Sequence, residues 1–290
     1  MILQGCYTAL VTPFRHGQVD YPALAALVER QVSAGVAGVI PVGTTGESPT
    51  LSVEEHLEVI RFVAEKVARR CQVIAGTGAN STEEAIRLTR EMEGLAVDAT
   101  LQVTPYYNKP SAEGLYRHFS AVAECSPLPI VLYNVPGRTG KEIPLEVVAR
   151  LASHPQVVAI KEAAGSVERV NAIGRLCDLT VLSGDDSLAL PMMSVGAKGV
   201  ISVLSNVAPE PYVEMCRLAL EGDFRRAQAI HRRYYPLAHD LFLEANPIPV
   251  KAAMADMGLM AEEYRLPLCE MGAANRETLR KTLRSLGLLP

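Results

Sequence analysis

The sequence predicts an α/β fold, a (β/α)8 (TIM-type) barrel with a C-terminal helical extension. Three observations predict it. Eight short apolar runs recur between residue 6 and about residue 205. Amphipathic segments of helical period separate them. The alternation then stops, and the remaining chain reads as helices alone. Short, β-branched, nearly continuous apolar runs suit parallel strands covered on both faces, and helices between them supply right-handed crossovers.

In chain order, the first run is "YTALV" (7–11). "DYPALAALVERQVSAG" follows, with Leu24, Leu27 and Val28 on one face, Asp20 as a cap and Gly35 suited to the end. After "AGVIPV" (37–42) comes "SVEEHLEVIRFVAEKVARR", where Ser52 and Glu55 have capping-box spacing and Leu57, Ile60, Val63 and Val67 line one face. "CQVIA" (71–75) leads into "STEEAIRLTREMEG", which repeats the scheme with Ser81 and Glu84. The later runs are "ATLQV" (99–103), "PIVLY" (129–133), "VVAI" (157–160), "LTVLS" (179–183) and "GVISV" (199–203). No composition break divides this region. Residues 1–225 are therefore expected to form one barrel domain, and residues 226–290 a helical extension packed on the barrel or on a partner chain.

Composition excludes several functional classes. Hydrophobic content of 49% with 21% charged residues is ordinary for a soluble globular chain. A net charge of −4 gives no basic footprint for nucleic acid, and the absence of Trp disfavours base-stacking surfaces. The six cysteines are scattered without a CxxC pair, so neither zinc framework nor thioredoxin-type site is signalled. The N-terminus "MILQGCYTAL" lacks a basic n-region, and no stretch is apolar enough to span a bilayer; a cytoplasmic protein without membrane association is expected.

Active sites of such barrels lie at the C-terminal ends of the strands. There the sequence offers "TPF" (12–14), "GTTGES" (43–48), "GTGANS" (76–81), "TPYYNKP" (104–110), "YNVPGRTG" (133–140), "KEAAGS" (161–166), "SGDDS" (183–187) and "SVLSN" (202–206). No histidine or carboxylate cage occurs among them, so no metal is expected. Lys161 ends a buried strand. A surface lysine would snorkel to water; at a barrel strand end the side chain points over the packed interior. Desolvation favours the uncharged form of an amine, and a neutral amine can form a Schiff base with a carbonyl. No phosphate, flavin or pyridoxal fingerprint is present, so the carbonyl is expected to belong to the substrate. Tyr133, one strand earlier, can shuttle protons beside an imine or simply lid the core. "GTTGES" offers Thr44, Thr45 and backbone N–H groups before a helix, a nest for a carboxylate or oxyanion that lacks the Walker lysine. Arg138 can grip an anion bidentately or remain a solvated loop residue.

"GTTGES", "TPYYNKP", "YNVPGRTG" and "IKEAAG", at these separations, resemble the pyruvate-dependent class I aldolase family that includes N-acetylneuraminate lyase, and within it the dihydrodipicolinate synthase branch. The resemblance continues through "SGDDS", "GVISV" and "NPIPVK". It implies a lyase of lysine and diaminopimelate biosynthesis that condenses pyruvate with L-aspartate 4-semialdehyde. It further implies that Lys161 forms the imine with pyruvate, with no metal or organic cofactor. Tyr133, Thr44 and Tyr107 would form a proton relay, Tyr107 reaching in from a neighbouring subunit. Thr45 with Thr44 would hold the pyruvate carboxylate, Gly184 and Ile201 would line the pocket by backbone contacts, and Arg138 would bind the semialdehyde carboxylate. Family members are usually homotetramers, dimers of dimers, and some are inhibited by L-lysine. The positions matching that allosteric site are Ser48, Pro49, Val53, His56, Asn80, Glu84 and Tyr106. Sensitive members often carry Ala and His where this chain has Pro49 and Val53, and relatives often have Thr at the position of Ala164. Two alternatives stay open at this point: a sibling aldolase acting on sugar acids, and a non-catalytic barrel that only binds a keto acid or amino acid.

Overall fold

A computed structural model describes residues 2–290. Eight parallel strands close into a barrel in sequential order: β1 Gly5–Ala9, β2 Gly38–Ile40, β3 Gln72–Gly76, β4 Ala99–Val103, β5 Ile130–Asn134, β6 Val157–Glu162, β7 Thr180–Ser183 and β8 Gly199–Ser202. The expected eight strands are all present. The crossover helices are α1 Tyr21–Ser33, α2 Val53–Val67, α3 Thr82–Arg90, α4 Ala112–Cys125, α5 Leu145–Leu151, α6 Val167–Leu176, α7 Ala189–Ser194 and α8 Pro209–Leu220. A small hairpin, Phe14–Arg15 with Gln18–Val19, follows β1. Three helices complete the chain: α9 Phe224–Asp240, α10 Ile248–Asp256 and α11 Ala273–Ser285.

The strands sort their side chains with period two. One apolar cluster fills the barrel, with Tyr7, Ile40, Ile74, Leu101, Val131, Ala159, Leu182 and Ile201. Their sequence neighbours, among them Cys6, Val39, Val73, Leu132, Ile160, Val181 and Val200, join a larger cluster beneath the helices. This two-sided burial is why the strands read as unbroken apolar runs. Counting by twos along β6, Ala159 faces the interior and Lys161 follows it at the rim.

The helix signals behave as their physics requires. Asp20 caps α1 by accepting from the Ala23 N–H, and Ser52 with Glu55 completes a reciprocal capping box at α2. At α3 the box is only half formed. Ser81 Oγ accepts from the Glu84 N–H at 3.4 Å, while the Glu84 carboxylate turns to a cavity instead of returning to the cap.

The extension is tied to the barrel through polar contacts at the rim. Lys251 on α10 pairs with Glu47, both fully buried. Arg265 makes a two-pronged pair with Glu55 and donates to the Gly17 and Thr50 carbonyls.

Candidate active site

Lys161 is buried, 6% exposed, at the end of β6. Parallel register sets it beside Tyr133 on β5 and Leu182 on β7. Its Nζ lies 4.2 Å from the Tyr133 ring centroid. Among the described residues nothing forms a hydrogen bond or ion pair with that amine. Tyr133 is itself held firmly: its carbonyl accepts from Thr104 N (3.0 Å) and Thr104 Oγ1 (2.8 Å).

The next residue, Glu162, faces away from the interior into a buried polar network. It accepts from Asn134 Nδ2 at 2.9 and 3.1 Å, from the Ala164 N–H at 2.9 Å and from Arg169 Nε at 3.1 Å. Burial pushes its carboxyl up, against the stabilising Arg169 charge and hydrogen bonds. This network pins the ends of β5 and β6 together and so fixes the Tyr133–Lys161 spacing.

Gly184, immediately after β7, approaches Lys161 from the other side. A Cβ there would sit 3.0 Å from Lys161 Cε and 2.6 Å from Ala163 Cβ, so the amine's stem needs a glycine at this position. Ile201 is fully buried in the barrel interior with Tyr133. Asp185 follows Gly184; burial raises its carboxyl although the Lys161 charge lowers it, and its Oδ2 has no partner among the described residues.

The "GTTGES" loop and the residue before it carry backbone strain. Val42, a β-branched residue, has φ 48°, and Glu47 has φ 55°. The close approach of β3 leaves no room for a side chain at Gly76, whose Cβ would lie 2.5 Å from the Val42 carbonyl oxygen. Within the turn, Gly46 N and Glu47 N donate to the Gly43 and Thr44 carbonyls. Neither the Thr44 nor the Thr45 N–H has an acceptor among the described residues, so both remain available for an anion. Thr45 is buried, and its Oγ1 accepts from Asn246 Nδ2 at 2.9 Å. Arg138 stands on the exposed rim, one guanidinium nitrogen donating to the Asn246 carbonyl at 3.0 Å. Asn246 thus joins Thr45 to Arg138, a contact across the chain that no local sequence pattern signals.

A cavity of about 280 Å³ adjoins these groups. Thr44 and Tyr133 are among its lining residues, and so are Ser48, Pro49, Val53, His56, Glu84 and Tyr106. Asn80 lies outside the lining and donates to the Tyr106 carbonyl at 3.2 Å. Buried His56 has Nε2 2.7 Å from the Gly76 carbonyl, and burial lowers its pKa against that hydrogen bond and the Glu84 charge. Burial and the nearby Glu84 raise the Tyr106 phenol. Tyr107 does not enter its own chain's site. It is 90% exposed with φ 71°, on a loop tied by Asn108 Nδ2 to the Asn80 carbonyl at 2.8 Å. No group of three or more metal-ligating side chains is found among the described residues, and no helix there is long and apolar enough to cross a membrane.

A sequence profile of the dihydrodipicolinate synthetase family matches residues 2–286. The 4-hydroxy-tetrahydrodipicolinate synthase of Methylococcus capsulatus is 52% identical over 291 residues, covering 99% of this chain and all of that one. The structure of the synthase from Methylacidiphilum fumariolicum superposes with a TM-score of 0.97 at 50% identity, covering 99% and 96% of the two chains. The Cyanidioschyzon merolae enzyme, crystallised with lysine bound, gives 0.95 at 43% identity and 99% coverage of both chains. The chain belongs to the dihydrodipicolinate synthetase family, class I aldolases built on this barrel. Its reaction is the lyase-class condensation of pyruvate with L-aspartate 4-semialdehyde to 4-hydroxy-tetrahydrodipicolinate, a step of lysine biosynthesis.

Proposed function

We propose that this condensation runs through a covalent imine between Lys161 and pyruvate, without metal or organic cofactor. The observation that carries the reading is a buried amine with no counter-charge bonded to it among the described residues, 4.2 Å from the Tyr133 ring. Neutral Lys161 Nζ adds to the keto carbon, and loss of water leaves the imine. Loss of a methyl proton gives the enamine, whose carbon bonds to the aldehyde carbon of the semialdehyde. The aldehyde oxygen takes up a proton and becomes the 4-hydroxyl. The substrate's own amine then adds to the imine carbon and expels Lys161, closing the ring. One water leaves per turnover, and the lysine is regenerated.

Tyr133 moves the protons in these steps, relayed through Thr44 to the partner subunit's Tyr107. The Thr44 and Thr45 N–H groups, with the Thr45 hydroxyl, hold the pyruvate carboxylate. Because Asn246 donates to Thr45 Oγ1, that hydroxyl's own hydrogen is directed elsewhere, towards an acceptor such as this carboxylate. Gly184 and Ile201 border the pyruvate. Arg138 has most of its donors free and pairs with the semialdehyde carboxylate. Incubation with pyruvate and borohydride tests the imine by intact mass. One reduced pyruvyl adduct is expected, lost in Lys161→Ala; an adduct that survives this substitution rejects the route.

The remaining assignments belong to the same proposal. L-Lysine occupies this cavity as an inhibitor, where Glu84 meets an ammonium group and the Ser48, His56 and Tyr106 side chains supply polar partners. Pro49 and Val53 make that wall more apolar than in sensitive relatives. Tyr107, exposed and in a left-handed backbone conformation, supports an assembly in which subunits complete one another's sites, a tetramer built from dimers. Six free cysteines support a reducing, cytoplasmic setting. Residues 1–225 form the catalytic domain and residues 226–290 the extension, the boundary falling in the first turn of α9.

A further inference from the structure

We propose that the buried Glu47–Lys251 ion pair, together with Asn246, positions the Thr44–Thr45 loop for catalysis. The inference rests on the reading that this loop holds the pyruvate carboxylate, and it assigns the C-terminal extension a part in substrate binding.

Two anchors reach one loop from one short segment. Asn246 directly precedes α10 and donates to Thr45 Oγ1. Lys251 lies in the first turns of α10 and pairs with Glu47, two residues beyond Thr45. Glu47 closes the turn through its own backbone. Its N–H donates to the Thr44 carbonyl at 3.1 Å, and its carbonyl accepts from Thr50 N and Oγ1 at 3.0 and 3.1 Å. It does so with φ 55°, a conformation a glutamate holds only when its surroundings enforce it. The enforcement comes from the carboxylate. One oxygen meets Lys251, and the other accepts from the Arg265 N–H at 3.3 Å. Lys251 is sealed in turn, its Nζ 4.4 Å from the Phe14 ring centroid and 5.2 Å from that of Tyr264.

Stability alone does not explain such a pair. Desolvating both charges offsets most of their attraction, and apolar residues of the same volume would pack as well. What charges add is direction: only one arrangement of the turn satisfies them. The Thr44 and Thr45 N–H groups must aim at a single point, and displacement of such groups by about 1 Å can cost on the order of 10²-fold.

The test uses the full-length protein and the double variant Glu47→Gln/Lys251→Met, which leaves no orphaned charge. Asn246→Ala serves as a second, uncharged variant; it removes the Thr45 contact and keeps the carbonyl that holds Arg138. Thr45→Val is the control. Half-saturating pyruvate is read from borohydride trapping by intact mass, alongside KM for the semialdehyde and Tm. Positioning predicts about a tenfold rise in half-saturating pyruvate in the double variant and in Asn246→Ala, with semialdehyde KM within about twofold of the parent. A lowered Tm with unchanged half-saturating pyruvate in both overturns the proposal and leaves a merely structural pair. If Thr45→Val raises half-saturating pyruvate while the other variants do not, the carboxylate assignment stands and positioning falls. If Thr45→Val also leaves it unchanged, the carboxylate assignment fails and positioning falls with it.

Discussion

The molecule buries two lysines within reach of the same rim and treats them in opposite ways. Lys251 is fully enclosed and ion-paired with Glu47, itself fully enclosed. Burial lowers its pKa, while the Glu47 charge and hydrogen bond oppose that fall. Lys161 lies near the end of β6, its Nζ over the Tyr133 ring, with no counter-charge bonded to it among the described residues. The difference teaches what makes a buried amine structural or chemical. A paired amine has its direction and charge committed, whereas an unpaired one retains its lone pair or proton for a substrate.

The largest effect expected from this contrast is on turnover. Lys161→Met should lower the condensation rate by at least about 10³-fold, with folding intact, because an apolar side chain suits that site's packing. Lys251→Met should instead cost about 3–5 kcal/mol of stability by leaving Glu47 buried and unpaired. Steady-state rates and denaturant unfolding on both variants check the pair of outcomes. A stable Lys251→Met, or an unfolded Lys161→Met, breaks the contrast.

Arg138 extends the comparison to a cation at the exposed rim, bonded among the described residues to a carbonyl alone. Arg138→Ala should lower kcat/KM for the semialdehyde by about 10²-fold, the loss of a charge-assisted pair, while imine formation with pyruvate changes little. Equal loss of both, read by trapping and by coupled assay, would remove its assigned partner.

The sequence made the barrel legible for a physical reason. Strands buried on both faces cannot alternate in polarity, so β3 or β8 stands out as an apolar run. The rim was legible too, because a lysine follows one such run, a tyrosine ends another, and a threonine pair follows a third after a single glycine. What closes over the rim was not. Asn246 meets Thr45 across 201 residues, and Lys251 meets Glu47 across 204. "GTTGES" read locally makes Glu47 an ordinary turn residue; only tertiary packing enforces its left-handed backbone. "NPIPVK" carries family likeness without revealing its contact with the loop. Glu84 shows the converse. Its spacing from Ser81 fits a reciprocal cap, but the carboxylate turns to the cavity, where His56 and Tyr106 lie.

His118 sharpens the contrast with the smallest effect, as a buried base that stays neutral. It is buried on α4, its Nδ1 2.9 Å from Thr82 Oγ1 and its ring edge-on to Phe119 at 5.0 Å. No partner meets Nε2 among the described residues. Burial lowers its pKa from 6.5 to about 4. In the unfolded chain the ring binds a proton below about pH 6.5 that the folded protein refuses, so stability falls as pH drops from there towards 4 and levels off beneath. At pH 5 the loss from this one group is about 2 kcal/mol relative to pH 7.5. Fully buried Asp186, raised to about 6 by burial, acts with the opposite sign: its contribution falls as pH rises from 3.8 towards 6. The whole-protein pH curve mixes these two with other shifted groups such as His56, Glu162 and Asp185, and the difference between parent and His118→Gln isolates the imidazole. Denaturant unfolding of both at pH 7.5 and pH 5 should show the variant losing about 2 kcal/mol less on acidification. Equal losses would mean that the buried ring accepts its proton, and that a counter-charge is not what separates a buried base that stays charged from one that does not.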